Sequence, residues 1–272
     1  MNSMNSANDC LSDYNAEESI GLHSCSQKEA VPSIVWIRFP SCDYELDYYN
    51  DKFDLNPGDL VFVDGKMEGQ RGCVMSVSRH FKVQANAFRR VISRADLHVS
   101  GRFVNADSYL LGFDPQTLPY SQFRSWVLPP KTEETEYLIG FEKEHIDLND
   151  MNTWDFLPVT INRGAIYYQE NRVLYLCLDA GAGRAIVDGT HPYEVEFHYE
   201  DGTITDLFCD CPYYYHCKHE IATMLLLKEI LANIEERYAQ QWKESGYFSA
   251  VFSPLFFSLS IYGNCDTVLT LA

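Results

Sequence analysis

Positive charge is scarce in this 272-residue chain: 21 lysines and arginines face 39 aspartates and glutamates, a formal net charge of −18. That imbalance disfavours a protein that coats nucleic acid or an anionic membrane with its whole surface. Long apolar runs are missing too. The longest, from Tyr247 to Ile261, is broken by Ser249, Ser253, Pro254 and Ser258, short of the roughly 18 uninterrupted apolar residues that a membrane helix needs. A basic start followed by an apolar segment is absent from Met1 to Cys10, so we expect no secretory signal, no membrane partner and a cytoplasmic protein. No self-similarity recurs at the periods of solenoids or propellers.

Cysteine is not scarce. Nine are present, an odd number that cannot all pair internally. In a reducing compartment clustered cysteines point to metal more than to disulfides. Cys10, Cys25, Cys42, Cys73, Cys177 and Cys265 are dispersed, whereas Cys209, Cys211 and Cys217 are not.

The patterning predicts an α+β chain: a tail over 1–30, a β-rich domain over 31–150 and a second domain over 151–272. Half of the first thirty residues are Asn, Ser, Asp or Glu and few are large and apolar, too polar to offset their ordering entropy, so we expect disorder there. Ile34–Phe39, Leu60–Val63 and Gly72–Val77 read as strands, with Asn56-Pro57-Gly58-Asp59 and Asp64-Gly65 as turns. They predict a small β-barrel or strongly bent sheet. Leu97–Leu111 reads as a strand pair around Gly101, and Pro115, Pro119, Pro129 and Pro130 mark a connection with at most short helices.

Past residue 150, Ala165–Tyr168, Val173–Leu178, Gly183–Asp188, Tyr193–Tyr199 and Thr203–Phe208 are strand-like, with turns at Asp188-Gly189 and Asp201-Gly202. After Cys217 the period changes. Ile221, Met224, Leu225, Lys228, Leu231, Ile234 and Tyr238 fall on one face of a helix that runs to about Trp242. Ser249–Ile261 reads as a helix kinked at Pro254, and Thr267–Leu271 as a closing strand.

Chemistry concentrates in residues 207–220, LFCDCPYYYHCKHE. Cys209, Cys211, Cys217 and His219 are the Cys₃His set that tetrahedral structural zinc uses. A Cys-x-Cys pair leaving a strand can turn both sulfurs inward around Asp210, and Pro212 ends the strand. Cys217 and His219 would start the following helix, where free N–H groups favour thiolate. Two catalytic patterns fail nearby. His219-Glu220-Ile221-Ala222-Thr223 has Thr where the metalloprotease HExxH needs its second histidine, and the HxE…PCxxC of zinc deaminases is not present. Four protein ligands leave no open position for water or substrate.

Cys-x-Cys, a short loop and Cys-x-His, preceded by strands and followed by an apolar helix, resemble the SWIM zinc finger. So does the approach Val187-Asp188-Gly189-Thr190-His191-Pro192-Tyr193-Glu194-Val195, and so does the helix start Cys217-Lys218-His219-Glu220-Ile221-Ala222. The resemblance covers roughly residues 160–230. It implies one structural Zn²⁺ on Cys209, Cys211, Cys217 and His219 in a ββα unit, and a binding role toward DNA or protein. The loop between Cys211 and Cys217 is at the short end of the family's range, which leaves His216 as a substitute for His219.

Partner binding has two candidate surfaces. Arg71, Arg79, Lys82, Arg89, Arg90, Arg94 and Arg102 face only Asp96 in their stretch, with Phe81, Phe88 and Phe103 interleaved, as in surfaces that grip phosphate and stack bases. The alternative is that these cations pair with the acidic excess. Residues 200–244 hold four basic and nine acidic side chains, so protein docking suits the zinc helix better than DNA or RNA. Tyr213, Tyr214 and Tyr215 either anchor an interface or pack over the metal. Asp107, Asp114, His145 and Asp147 are available to a catalytic site, but no spacing among them specifies a reaction. The expectation is a non-enzymatic zinc-binding protein with a protein partner; accessory nucleic-acid binding is the alternative.

Overall fold

The computed structural model describes residues 30–84, 87–131, 145–262 and 268–271. Residues 1–29, where a tail is expected, lie outside them. Among the described residues the chain is α+β, with two sheets and five helices.

Strands β1 (Ser33–Arg38), β2 (Glu45–Asn50), β3 (Leu60–Val63), β4 (Arg71–Ser78) and β5 (Val91–Arg94) form one antiparallel sheet in the order β2-β1-β4-β3-β5. Alternation puts Val35, Ile37, Val61, Val63, Val74 and Val91 in one cluster with Phe39, Leu55 and Met67. Register shifts at Trp36/Ile37 and Phe62/Val63 bend the strands. The curl brings Tyr49 of β2 to an isolated parallel bridge with Arg90, just before β5. The sheet is bent, as expected, but it does not close into a barrel.

The second sheet has nine strands. These are β6 (Ser100–Ala106), β7 (Tyr109–Gly112), β8 (Ile146–Asp147), β9 (Val173–Asp179), β10 (Ala182–Val187), β11 (Tyr193–Glu200), β12 (Thr203–Cys209), β13 (Tyr247–Phe252) and β14 (Val268–Leu271). Their order is β14-β6-β7-β13-β9-β10-β11-β12-β8, antiparallel except where β14 joins β6. Strands from both sides of residue 150 therefore share one sheet.

Helices cover both of its faces: α1 (Tyr120–Val127), α2 (Pro158–Gln169), α3 (Lys218–Arg237), α4 (Ala239–Ser245) and α5 (Ser253–Tyr262). Leu176, Leu178, Phe248 and Ala250 pack with Ile221, Met224, Ile230 and Ile234 of α3. Tyr175, Cys177, Tyr247 and Val251 point the other way, to Phe123 and Trp126 of α1 and Phe256 and Leu259 of α5. Burial on both faces explains why β9 and β13 are nearly continuous apolar runs. No helix of the described residues is long and apolar enough to cross a membrane.

Four expectations need correction. Ala165–Tyr168 belongs to α2, not to a strand. Pro158 opens that helix, and its packing on α3 overrides the local β preference of Ala-Ile-Tyr-Tyr. Gly164 makes that packing close, since a Cβ there would lie 2.4 Å from Ile221. Ser249–Ile261 is strand β13 followed by α5, with Pro254 in the helix's first turn, where a missing N–H costs nothing. The helix after Cys217 is broken at Tyr238 into α3 and α4. The pair β6–β7 turns at Asp107, which takes φ 52°, not at Gly101. Strand β2 was not predicted.

Candidate metal centre

The site forms where β12 ends and α3 begins. Cys209 is the last residue of β12. Asp210 is then pinned to β11 in both directions: its carboxylate accepts the Glu194 N–H at 2.9 Å and its own N–H donates to the Glu194 carbonyl at 3.1 Å. That clamp fixes the chain between the two cysteines. The segment Pro212–His216 loops outward and returns at Cys217, the N-cap of α3. A capping box closes the turn: Cys217 N–H donates to the Glu220 carboxylate at 2.8 Å, and the Cys217 sulfur accepts the Glu220 N–H.

Cys209, Cys211, Cys217 and His219 converge, all buried, with their ligand atoms within 4.8 Å of one another. Nδ1 of His219 lies 3.7 Å from the Cys209 sulfur and 3.6 Å from the Cys217 sulfur. Tetrahedral zinc, with Zn–S near ~2.3 Å and Zn–N near ~2.0–2.1 Å, requires an S···N edge of about 3.6 Å. Both imidazole-to-sulfur distances match that edge. Among the described residues this is the one such grouping of His, Cys, Asp or Glu.

Electrostatics favour a cation there. Hydrogen bonds from Cys209 and Cys217 hold the Cys211 thiol far below the usual thiol range. Cys209 is pushed far up by its hydrogen bonds with Cys211 and Cys217 and by burial. One sulfur ionises readily and a neighbour then resists, because buried negative charges so close together repel. A divalent ion removes that conflict, and coordination deprotonates the thiols.

The imidazole is held between rings. Tyr193 lies 4.6 Å from His219, tilted by 30°, and Tyr167 meets it edge-on at 5.6 Å. Nε2 is buried without a hydrogen-bond partner among the described residues, next to Gly189, whose added Cβ would stand 3.1 Å from it. Glycine there lets the backbone approach the ring. His216 does not join the sulfurs: its Nδ1 sits 3.0 Å from Glu220 and its ring 4.3 Å from Phe156. The structure thus groups His219, not its alternative, with the cysteines.

The loop tyrosines do not cover the site. Tyr213, Tyr214 and Tyr215 are 49%, 96% and 76% exposed.

The basic stretch is largely occupied. Arg79 pairs with Asp54 at 3.1 Å, Arg94 approaches Asp59 at 3.9 Å, and Arg90 pairs with Asp51 while lying over the Tyr49 ring. Arg71 donates to the Trp126 carbonyl. Lys82, Arg89 and Arg102 are exposed, with no ion pair among the described residues. The four candidates for catalysis do not gather. Asp107 serves the β6–β7 turn, while Asp114 and Asp147 accept the N–H groups of Gln116 and Asn149. Asp114 lines a cleft of about 370 Å³ with Arg102, Thr117 and Glu244, which Asp107, His145 and Asp147 do not reach.

One feature went unread in the sequence. Buried Glu194 accepts from Tyr120 at 2.6 Å, from Arg124 at 2.9 Å and from Lys131 at 3.1 Å, tying the strand beside the cysteine–histidine cluster to α1. Burial raises its pKa, but these three donors outweigh burial and leave it below the ordinary value. Partners some 70 residues apart leave no spacing signal.

Compared with protein-family models, with curated proteins and with solved structures, the chain matches none, so its functional assignment rests on the convergence of these four side chains.

Proposed function

We propose that this is a non-catalytic, zinc-stabilised interaction protein, with one structural Zn²⁺ on Cys209, Cys211, Cys217 and His219 in a unit similar to the SWIM zinc finger. The observation that carries the reading is the donor spacing, 3.6 and 3.7 Å from imidazole to sulfur. Filling all four positions with protein ligands makes the ion a structural clasp rather than a reaction centre. It would join the end of β12 to the start of α3, and its binding energy, on the order of 10 kcal/mol, would count toward folding. Three thiolate ligands suit a reducing, cytoplasmic setting.

A protein partner fits this reading better than nucleic acid. The zinc helix region is acidic, and Arg79, Arg90 and Arg94 are engaged with aspartates, whereas phosphate binding draws on uncommitted cations. The test is zinc stoichiometry of purified protein by atomic emission. One zinc per chain is expected; a fully folded chain that takes up no zinc overturns the proposal.

A further inference from the structure

The metal site holds both ends of a loop whose tip is aromatic and bare. Pro212 to His216 lies between two of the proposed ligands, Cys211 and Cys217, and neither Tyr214 nor Tyr215 has more than a quarter of its surface covered, at 96% and 76% exposure. Tyr213 and Tyr215 meet edge to face at 6.4 Å. A second apolar segment adjoins the loop. His216 packs on Phe156, and the next residues Leu157 and Val159 are 57% and 54% exposed. Isolated exposed apolar residues are ordinary; consecutive exposed rings on one loop mark an interaction surface. Tyrosine supplies large contact area with few rotatable bonds, which suits it to anchor an interface.

Charge selects the occupant. The zinc helix region carries nine acidic against four basic side chains in a chain of net charge −18. Lys218 is engaged with Tyr167, its ammonium 2.6 Å from the hydroxyl and over the ring. The Glu229 carboxylate is bonded to the Tyr168 hydroxyl, not to a cation. Asp155, next to Phe156, is exposed. An electron-rich ring face beside carboxylates attracts cations and repels phosphate. Among cations, planar guanidinium stacks on tyrosine better than ammonium does.

We infer that the Tyr213–Tyr215 loop is a docking surface for an arginine-rich segment of another protein. Arginine side chains stack on Tyr214 and Tyr215, and the acidic surroundings steer the segment to the loop. The inference rests on the metal reading, because the metal holds both ends of the loop.

The test uses the full zinc-loaded chain and fluorescence polarisation with a labelled peptide of alternating arginine and serine. A lysine–serine peptide and a single-stranded oligodeoxynucleotide serve as comparison probes. Tyr214→Ala and the double variant Tyr214→Ala/Tyr215→Ala are measured alongside the unaltered protein, with zinc content determined for each. We expect arginine peptide to bind more tightly than lysine peptide, and the double variant to lose about tenfold in affinity, as removal of two ring–cation contacts predicts. Zinc content should stay at that of the unaltered chain. Equal peptide affinity in all three proteins, no peptide binding at all, or tyrosine-dependent binding of the oligonucleotide instead would each overturn the inference. So would tyrosine-dependent self-association on a sizing column. If the unaltered chain folds without zinc, the metal reading fails by itself, and the peptide measurement still decides the docking surface.

Discussion

Cys217 and Glu220 cap each other across the first turn of α3, the carboxylate taking one N–H at 2.8 Å and the sulfur taking the other. A proposed metal ligand is therefore also the residue that starts the helix. Glu220→Ala should weaken zinc binding by roughly tenfold or more, as loss of a group supporting a ligand typically does, and cost about 1 kcal/mol of stability from the lost cap. Glu220→Gln, which can still accept the Cys217 N–H, should recover most of both. Competition with a chromogenic chelator and thermal melts read the two effects; a Glu220→Ala protein that holds zinc as firmly as the unaltered chain would break the link between cap and ligand.

Cys211→Ser should abolish stoichiometric zinc and expose residues 207–220 to proteolysis, and chelation of the unaltered protein should give the same cleavage pattern. The effect has a definite pH sign. Sulfurs and imidazole must be deprotonated to coordinate, so the stabilisation by metal is present at neutral pH and is lost as pH falls and protons compete with the ion. A zinc-loaded protein whose melting temperature is unchanged on acidification through the range where zinc is released would contradict this coupling.

Glu194 sets a second pH dependence. Its pKa in the folded chain lies below the ordinary 4.5. The folded state therefore binds fewer protons than the unfolded one, and the contribution to stability is present above that ordinary value and decays as pH drops through the lower folded value. Arg124→Met should cost on the order of 3 kcal/mol at neutral pH, because it leaves a buried carboxylate short of its main partner. The gap to the unaltered protein should narrow in acid. Adding Glu194→Gln should restore much of the loss, and denaturant melts at neutral and acid pH measure all three chains. A gap that widens in acid would show that the ion pair is not its origin.

Gly164→Ala sets two magnitudes against each other. Alanine improves an exposed helix position by about 1 kcal/mol over glycine, whereas overpacking a tight contact costs about 1–3 kcal/mol. With the added Cβ only 2.4 Å from Ile221, overpacking should win and the protein should be destabilised in urea. Ile221→Ala in the same chain, which removes the Cγ2 that the new methyl would meet, should ease part of the clash. A stabilised Gly164→Ala protein would mean that α2 and α3 pack less closely.

For the basic stretch, we expect neither the unaltered protein nor Arg89→Glu/Arg90→Glu to retard a single-stranded oligonucleotide in a low-salt gel. Retardation that the charge reversals remove would revive the nucleic-acid alternative.

Much of the candidate metal site was legible because it is local: three sulfurs and an imidazole lie within eleven residues, between a strand and a helix that each carry their own periodicity. The strands β9 to β12 were legible for the same reason, with Asp201-Gly202 taking the positive φ that their turn needs. What failed was non-local. Ala165–Tyr168 has strand-like composition and becomes helical through contact with α3. Strand β2, ELDYYN, carries too many polar residues to be marked before β1 is placed beside it. The fate of the arginines was equally hidden, since Asp51, Asp54 and Asp59 meet them only once the sheet curls.

The strand order has a practical consequence for dissecting this protein. β13 lies between β7 and β9, so a fragment beginning near residue 150 would present Tyr247–Phe252, apolar on both faces, as an open edge with unsatisfied amides. Bare edges of that kind recruit other chains. Material prepared that way would be prone to clump, and mapping of binding activity is better done by point changes in the intact polypeptide than by cutting it.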